Sequence, residues 1–210
     1  MRVRVNRKDE VVTGGGGAQV VTQPESTNLK IVPGASTTIW TIGHSTRSAA
    51  EFNQLLKVHA VTALVDVRSF PGSRRYPHFN KSELALNLKS VGILYSHNPQ
   101  LGGRRRPSPD SRNTAWKNAS FRAYADHIET GEFMRGIQEL LMIASSGRAA
   151  IMCAEALWWR CHRSLIADFL KASGVKVIHI LDAKKTEEHP YTSAARIVDG
   201  QLSYEGLFAE

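Results

Sequence analysis

Both cysteines of the chain fall within one stretch, IMCAEALWWRCHRSL, residues 151–165. A short apolar run delivers Cys153, and Glu155 follows two residues later. Arg160, Cys161, His162 and Arg163 then open a new amphipathic run. A thiol at a strand end, ahead of a helix N-terminus and near arginines, sits where its pKa is lowered and a nucleophile can form. Glu155 and His162 are residue types that move protons. Arg163, at the helix start, could hold a carboxylate or phosphate bidentately. The same residues also fit an ordinary strand-to-helix corner. Cys153 would then be a buried structural thiol, and Glu155 one arm of an ion-pair network. Cys161 would share an apolar helical stripe with Trp158, Leu165, Phe169 and Ala172. The phosphatase spacing of Cys and Arg is broken, because Trp158 stands five residues after Cys153 and Arg160 seven. A metal set of Cys153, Cys161 and His162, with His44 as fourth ligand, is disfavoured. Adjacent Cys and His seldom both turn toward one ion, and no C-x2-C pair exists. No cofactor is indicated, and zinc is not expected.

These residues need elements to position them. TTIWTIG reads as a strand ending at Gly43, His44 and Ser45. Ser48-Ala-Ala-Glu51 is a capping box that starts a helix. VTALVDV is an apolar run of strand length, covered on both faces, that delivers Asp66 and Arg68. Asn80 could cap KSELALNLKSVG. ILYSH is a third strand, FRAYADHIE and GEFMRGIQELLMIAS are helices, and AAIMCA is the fourth strand. RSLIADFLKASG is a helix and VKVIHIL the fifth strand, while ARIVDGQLSYE suggests a hairpin at Asp199-Gly200. The expected fold is therefore one compact α/β domain over residues 37–210. It has a mostly parallel, about five-stranded sheet, helices on both faces and a small C-terminal hairpin. Residues 1–36, with Gly14 to Gly17 in a row, read as a flexible tail. In such a sheet ligands bind beyond the carboxyl ends of the strands, where His44, Asp66, His97 and Cys153 all fall.

The chain has 210 residues and a formal charge of +8. From Arg68 to Arg122 eleven Lys and Arg stand against Glu83 and Asp110, so this segment alone carries +9. Such a concentration attracts phosphates, in nucleotides or nucleic acid, unless it is simply a solvated basic face. Gly102-Gly103-Arg104-Arg105-Arg106 is a basic loop, but neither a Walker nor a dinucleotide fingerprint is present. Tyr76, Phe79, Tyr95 and Trp116 lie in the same segment and could stack on bases. No apolar run approaches the roughly 20 residues needed to span a bilayer, and no signal-peptide core is visible. Two cysteines are too few for a disulfide framework. The expectation is a cytoplasmic protein with reduced thiols and no membrane partner.

TIGHS, DVRSFPGSRRYPHF, LGGRR and CAE followed by CHR resemble, in the same order, the family catalogued as domain of unknown function 488. The resemblance covers roughly residues 38–182. It implies a compact α/β domain, and it implies no established activity. It matches Gly43, His44, Ser45, Asp66, Arg68, Pro71, Ser73, Gly102, Gly103, Cys153, Glu155, Cys161, His162 and Arg163 to the family's motif positions. The expected catalytic set is Cys153, Glu155, His162 and Asp66. The expected anion-binding set is His44, Ser45, Arg68, Ser73, Gly102, Gly103, Arg104 and Arg163. Together they suggest an enzyme acting on a phosphorylated substrate, a nucleotide or nucleic-acid component. The alternative is a non-catalytic nucleic-acid-binding module that uses the basic loops of residues 68–122.

Overall fold

The computed structural model describes residues 37–206. The tail expected over residues 1–36 lies outside the described residues. Strands β1 (Thr38–Gly43), β2 (Ala63–Asp66), β3 (Leu94–His97), β4 (Ala149–Cys153) and β5 (Lys176–Ile180) pair in parallel, and β6 (Thr186–Glu188) adds an antiparallel edge. The order across the sheet is β3-β2-β4-β1-β5-β6. β7 (Arg196–Val198) and β8 (Gln201–Ser203) form the hairpin read from Asp199-Gly200, both of which have positive φ. The sheet thus has six strands rather than five. TEE lacks any apolar period, and β6 exists because its backbone pairs with β5.

The central strands β2 and β4 are buried on both faces, and their side chains alternate between two cores. Ala63, Val65, Ala149 and Ile151 enter one core with residues of α3 (Ala119–Ile128), α4 (Gly131–Ala144) and α5 (Arg163–Ala172). Leu64, Ala150 and Met152 enter the opposite core with residues of α1 (Ala49–Val58) and α2 (Lys81–Ser90). Fully buried Phe52, Leu84 and Leu165 anchor these layers, and truncating any one of them to Ala would cost about 2–5 kcal/mol. The Ser48 capping box forms as read, with Ser48 Oγ accepting from Glu51 N and Glu51 Oε2 accepting from Ser48 N. Asn80 is the N-cap residue of α2, but its Oδ1 accepts from Ser73 N instead of capping the helix. Among the described residues, no helix is long and apolar enough to cross a membrane.

The connections set the site. The chain leaves β1 through α1 on one face of the sheet, and leaves β4 through α5 on the other. Because β1 and β4 are neighbours, their carboxyl ends flank the point where the winding reverses, and a crevice opens there.

Candidate functional site

Gly43 and Cys153 are register partners at the last rung of β1 and β4. The two loops stay together beyond it. His44 N donates to Cys153 O, and Ser45 N donates to Ala154 O, both at 2.9 Å. This contact requires a glycine, since a Cβ on Gly43 would lie 2.0 Å from Glu155 O and 2.7 Å from Ala156 Cα. Ser45 turns away with φ 52°, a left-handed conformation uncommon for a residue with a side chain. Above this corner lies a cleft of about 700 Å3.

Cys153, Cys161 and His162 form the floor. Their two Sγ atoms and one imidazole nitrogen all lie within 4.8 Å of one another. The chain makes this possible by changing conformation between adjacent residues. Cys161 is extended at φ −124°, ψ 146°, whereas His162 is already helical at φ −54°, ψ −16°. Cys161 therefore belongs to no helical stripe. Trp158–Arg160 is a separate turn and α5 begins at Arg163, although the Cys161 side chain is buried all the same. His162 Nε2 lies 3.1 Å from Val67 O, which can only accept, so Nε2 carries the proton and Nδ1 faces Cys161 Sγ at 3.6 Å. Arg163 Nε donates to the same sulfur at 3.4 Å. Burial opposes ionisation of Cys161, but the hydrogen bond from Cys153 and the Arg163 guanidinium work against it, and its thiol is held well below the usual value. The hydrogen bond with Cys161, and then burial, push Cys153 well above it.

One wall is a locked ion pair. Arg68 donates to both oxygens of Asp66 and to Phe79 O. Tyr95 OH adds a bond to Asp66 Oδ2 at 2.9 Å. His44 completes the wall, stacked on Phe79 with centroids 4.0 Å apart. Burial lowers its pKa to about 4, so the ring is neutral. Its Nδ1 donates to Ser45 O and its Nε2 accepts from Arg68 Nη1.

The rim is basic and aromatic. Arg104 and Arg160 line the cleft and are exposed. Neither makes an ion pair among the described residues, and Arg104 rests on Phe70, which is 72% exposed. Tyr76 and Phe121 complete the aromatic lining. Gly103 packs flat on His162, where a Cβ would sit 2.5 Å from Nδ1. Arg105 turns away from the cleft to Glu132 and to the carbonyls of Pro99, Gln100 and Gly102, pinning the loop.

Of the expected catalytic residues, Cys153, Glu155 and His162 line the cleft, whereas Asp66 lies fully buried behind Arg68. Glu155 is not buried as its spacing from Cys153 suggests. β4 ends at Cys153, and the exposed Glu155 carboxylate accepts from Leu157 N. Of the expected anion-binding residues, His44, Ser45, Arg68, Ser73, Gly103 and Arg104 line the cleft, and Gly102 and Arg163 do not. Arg68 and Arg163 have committed their guanidinium groups to the protein itself. Arg163, 1% exposed, bonds Thr41 Oγ1, Glu155 O and Cys161 Sγ. Ser73 Oγ accepts from Tyr76 N within its own loop. The N-terminus of α1 is occupied by Glu51 rather than open to an anion.

Sequence reasoning missed a second polar system behind Arg163. Thr41 Oγ1 bonds His179 Nδ1 at 2.7 Å, His179 Nε2 bonds His189 Nδ1 at 2.9 Å, and His189 Nε2 bonds Asp168 Oδ1 at 3.0 Å. Arg163 Nη1 donates into this line at Thr41 Oγ1, and the Asp168 carboxylate accepts from His189 at its far end. The available signal was a histidine inside the apolar run VKVIHIL and an aspartate on the apolar face of RSLIADFL.

No curated protein and no solved structure matches the chain. The family model described as domain of unknown function DUF488 matches residues 48–170. That span includes the Arg68 loop, the Gly102-Gly103 turn and the whole Cys153-to-Arg163 corner, and begins after the TIGHS motif. It exceeds half the chain, and the protein belongs to the DUF488 family.

Proposed function

We propose that the protein is an enzyme acting on a phosphorylated substrate, a nucleotide or nucleic-acid component, held in this cleft. One observation carries the reading: a thiol and imidazole floor lies beneath a rim whose arginines have no acidic partner among the described residues. The phosphate meets Arg104 and Arg160, which can offer charged, forked donors because neither has an acidic partner among the described residues. The base stacks against Phe70, Tyr76 or Phe121. The reacting group lies over Cys153, with His162 beneath and Glu155 at the mouth as the proton-transfer group. Two free cysteines suit a reducing, cytoplasmic compartment.

The test is a binding titration of nucleoside monophosphates and short oligonucleotides at several salt concentrations. Arg104→Ala with Arg160→Ala should weaken binding about tenfold or more, and cut the salt slope by nearly two on an oligonucleotide. Unchanged binding in the double variant removes the cleft from the reading. The second reading, a nucleic-acid-binding module, draws on Arg74, Arg75 and Arg106, which are all exposed on the basic loops. It predicts that their triple Ala variant loses oligonucleotide binding while the Arg104/Arg160 variant keeps it.

A further inference from the structure

The floor of the cleft has a chemistry that a lone nucleophile would not require. Two thiols and an imidazole converge there, and their donor atoms span no more than 4.8 Å. We infer that Cys153, Cys161 and His162 bind a thiophilic divalent cation, zinc in the first instance, with its fourth position open to the cleft. The inference uses the cleft of the proposed function but not its substrate.

Four observations support it. The first is spacing. Zinc held at about 2.3 Å from sulfur and about 2.1 Å from nitrogen in a tetrahedron sets these donors about 3.5 Å apart. Cys161 Sγ and His162 Nδ1 are 3.6 Å apart. The second is conformation. Neighbouring Cys and His seldom face one ion because a regular element sends them in different directions. Here the switch from extended to helical backbone between residues 161 and 162 removes that obstacle.

The third observation is the surrounding shell. A ligating histidine almost always gives its other N–H to a carbonyl or carboxylate, which fixes the tautomer and the ring. His162 does so to Val67 O, leaving the Nδ1 lone pair facing the sulfurs. Gly103 covers the ring closely and Tyr124 packs on it at 5.1 Å, so the ligand is held before any ion arrives. Arg163 Nε donates to Cys161 Sγ and supports the charge of a metal-bound thiolate.

The fourth is access. All three residues line the cleft, so the protein supplies three ligands and leaves one position to water or substrate, the pattern of a catalytic rather than a structural zinc. The other histidine cluster makes a useful contrast. His179 and His189 have spent all four ring nitrogens on hydrogen bonds and offer no lone pair. Binding at the floor would release thiol protons to solvent and leave two thiolates neutralising the dication. An ion so placed would polarise a phosphoryl oxygen or a bound water.

The experiment is equilibrium dialysis of the chelator-stripped full chain against zinc, followed by metal counting, with cobalt(II) in parallel. One zinc per chain is expected, together with thiolate-to-cobalt charge-transfer absorption. Cys153→Ser and Cys161→Ser should each weaken zinc binding at least about a hundredfold, and Gly103→Ala about tenfold through the ring. Arg104→Ala with Arg160→Ala should leave zinc binding unchanged. Absence of stoichiometric zinc and of the cobalt charge-transfer band in the unmodified chain overturns the inference without relying on any variant. So does full zinc retention in both cysteine variants. Zinc binding without nucleotide binding upholds this inference and counts against the proposed substrate. Nucleotide binding by a chain that takes up no metal does the reverse.

Discussion

Two polar clusters flank Arg163, each containing histidine, and they are arranged in different ways. Behind it, Thr41, His179, His189 and Asp168 are all buried to within 1% of full, and every donor in the line meets an acceptor. Asp168 collects four hydrogen bonds, from His189, from the amide and hydroxyl of Thr192, and from Tyr204. In front, Cys153, Cys161 and His162 gather beneath an open cleft, with His162 tied to Val67 O and Cys161 to Arg163. A saturated polar network inside a protein fixes structure, and an unsaturated one at a strand end is where chemistry is done. Arg163 belongs to both, giving Nη1 to the first and Nε to the second.

This contrast can be broken at its strongest point. Asp168→Ala removes the single acceptor of four buried donors, including the ion-pair partner of His189, and should cost about 3–5 kcal/mol in urea unfolding. A loss below 1 kcal/mol would mean that the rear network is not structural. Gly43→Ala ranks next. It forces backbone apart from backbone beneath the cleft, and should cost on the order of 3 kcal/mol. A thermal midpoint equal to that of the unaltered protein would refute the close approach.

Acid supplies a gentler probe of the rear network. Burial, then His189 and Arg163, lower the His179 pKa from 6.5 to about 2. The groups facing its ring are Thr41, His189 and the stacked Trp158. A base with a lowered folded pKa binds fewer protons folded than unfolded. Its contribution is therefore complete above pH 6.5 and declines as the pH falls from there toward 2. About 2 kcal/mol should disappear between pH 6.5 and 5, and His179→Gln should flatten that slope. An equally steep slope in the variant assigns the acid sensitivity elsewhere. The smallest effect belongs to the cleft: Cys153→Ser, half-buried and outside the rear network, should shift stability by less than about 1 kcal/mol. A loss as large as that of Asp168→Ala would erase the distinction between the two clusters.

Much of this architecture was legible in the chain. β2 and β4 read correctly because an apolar run of strand length is rare on a surface, and α1 because the Ser48–Glu51 box names its own first turn. The carboxyl rim followed from strands alternating with helices, which imply a parallel sheet. The edge strand β6 stayed hidden, since TEE forms it through backbone pairing alone. Arg68 and Arg163 show the limit more clearly. Residue type announced a cation that could grip an anion, but not that Asp66, Phe79 O, Thr41 and Glu155 O would occupy it first. The cleft-lining cations without an acidic partner among the described residues turned out to be Arg104 and Arg160, which no local pattern distinguishes from their neighbours. The Asp168-to-Thr41 line is assembled from four separate elements, and no local pattern spans it.

The approach of Gly43 to Glu155 has a consequence for how the corner can change. Backbone rests on backbone there, and the bonds from His44 and Ser45 reach main-chain carbonyls. The shape of the corner is therefore indifferent to the side chain carried at position 153. A carboxylate, a hydroxyl or a second imidazole could hang from the same Cα without redrawing the two strands. The architecture separates the mounting from the tool, and the group presented to the cleft can be rewritten at one position while its scaffold stays still.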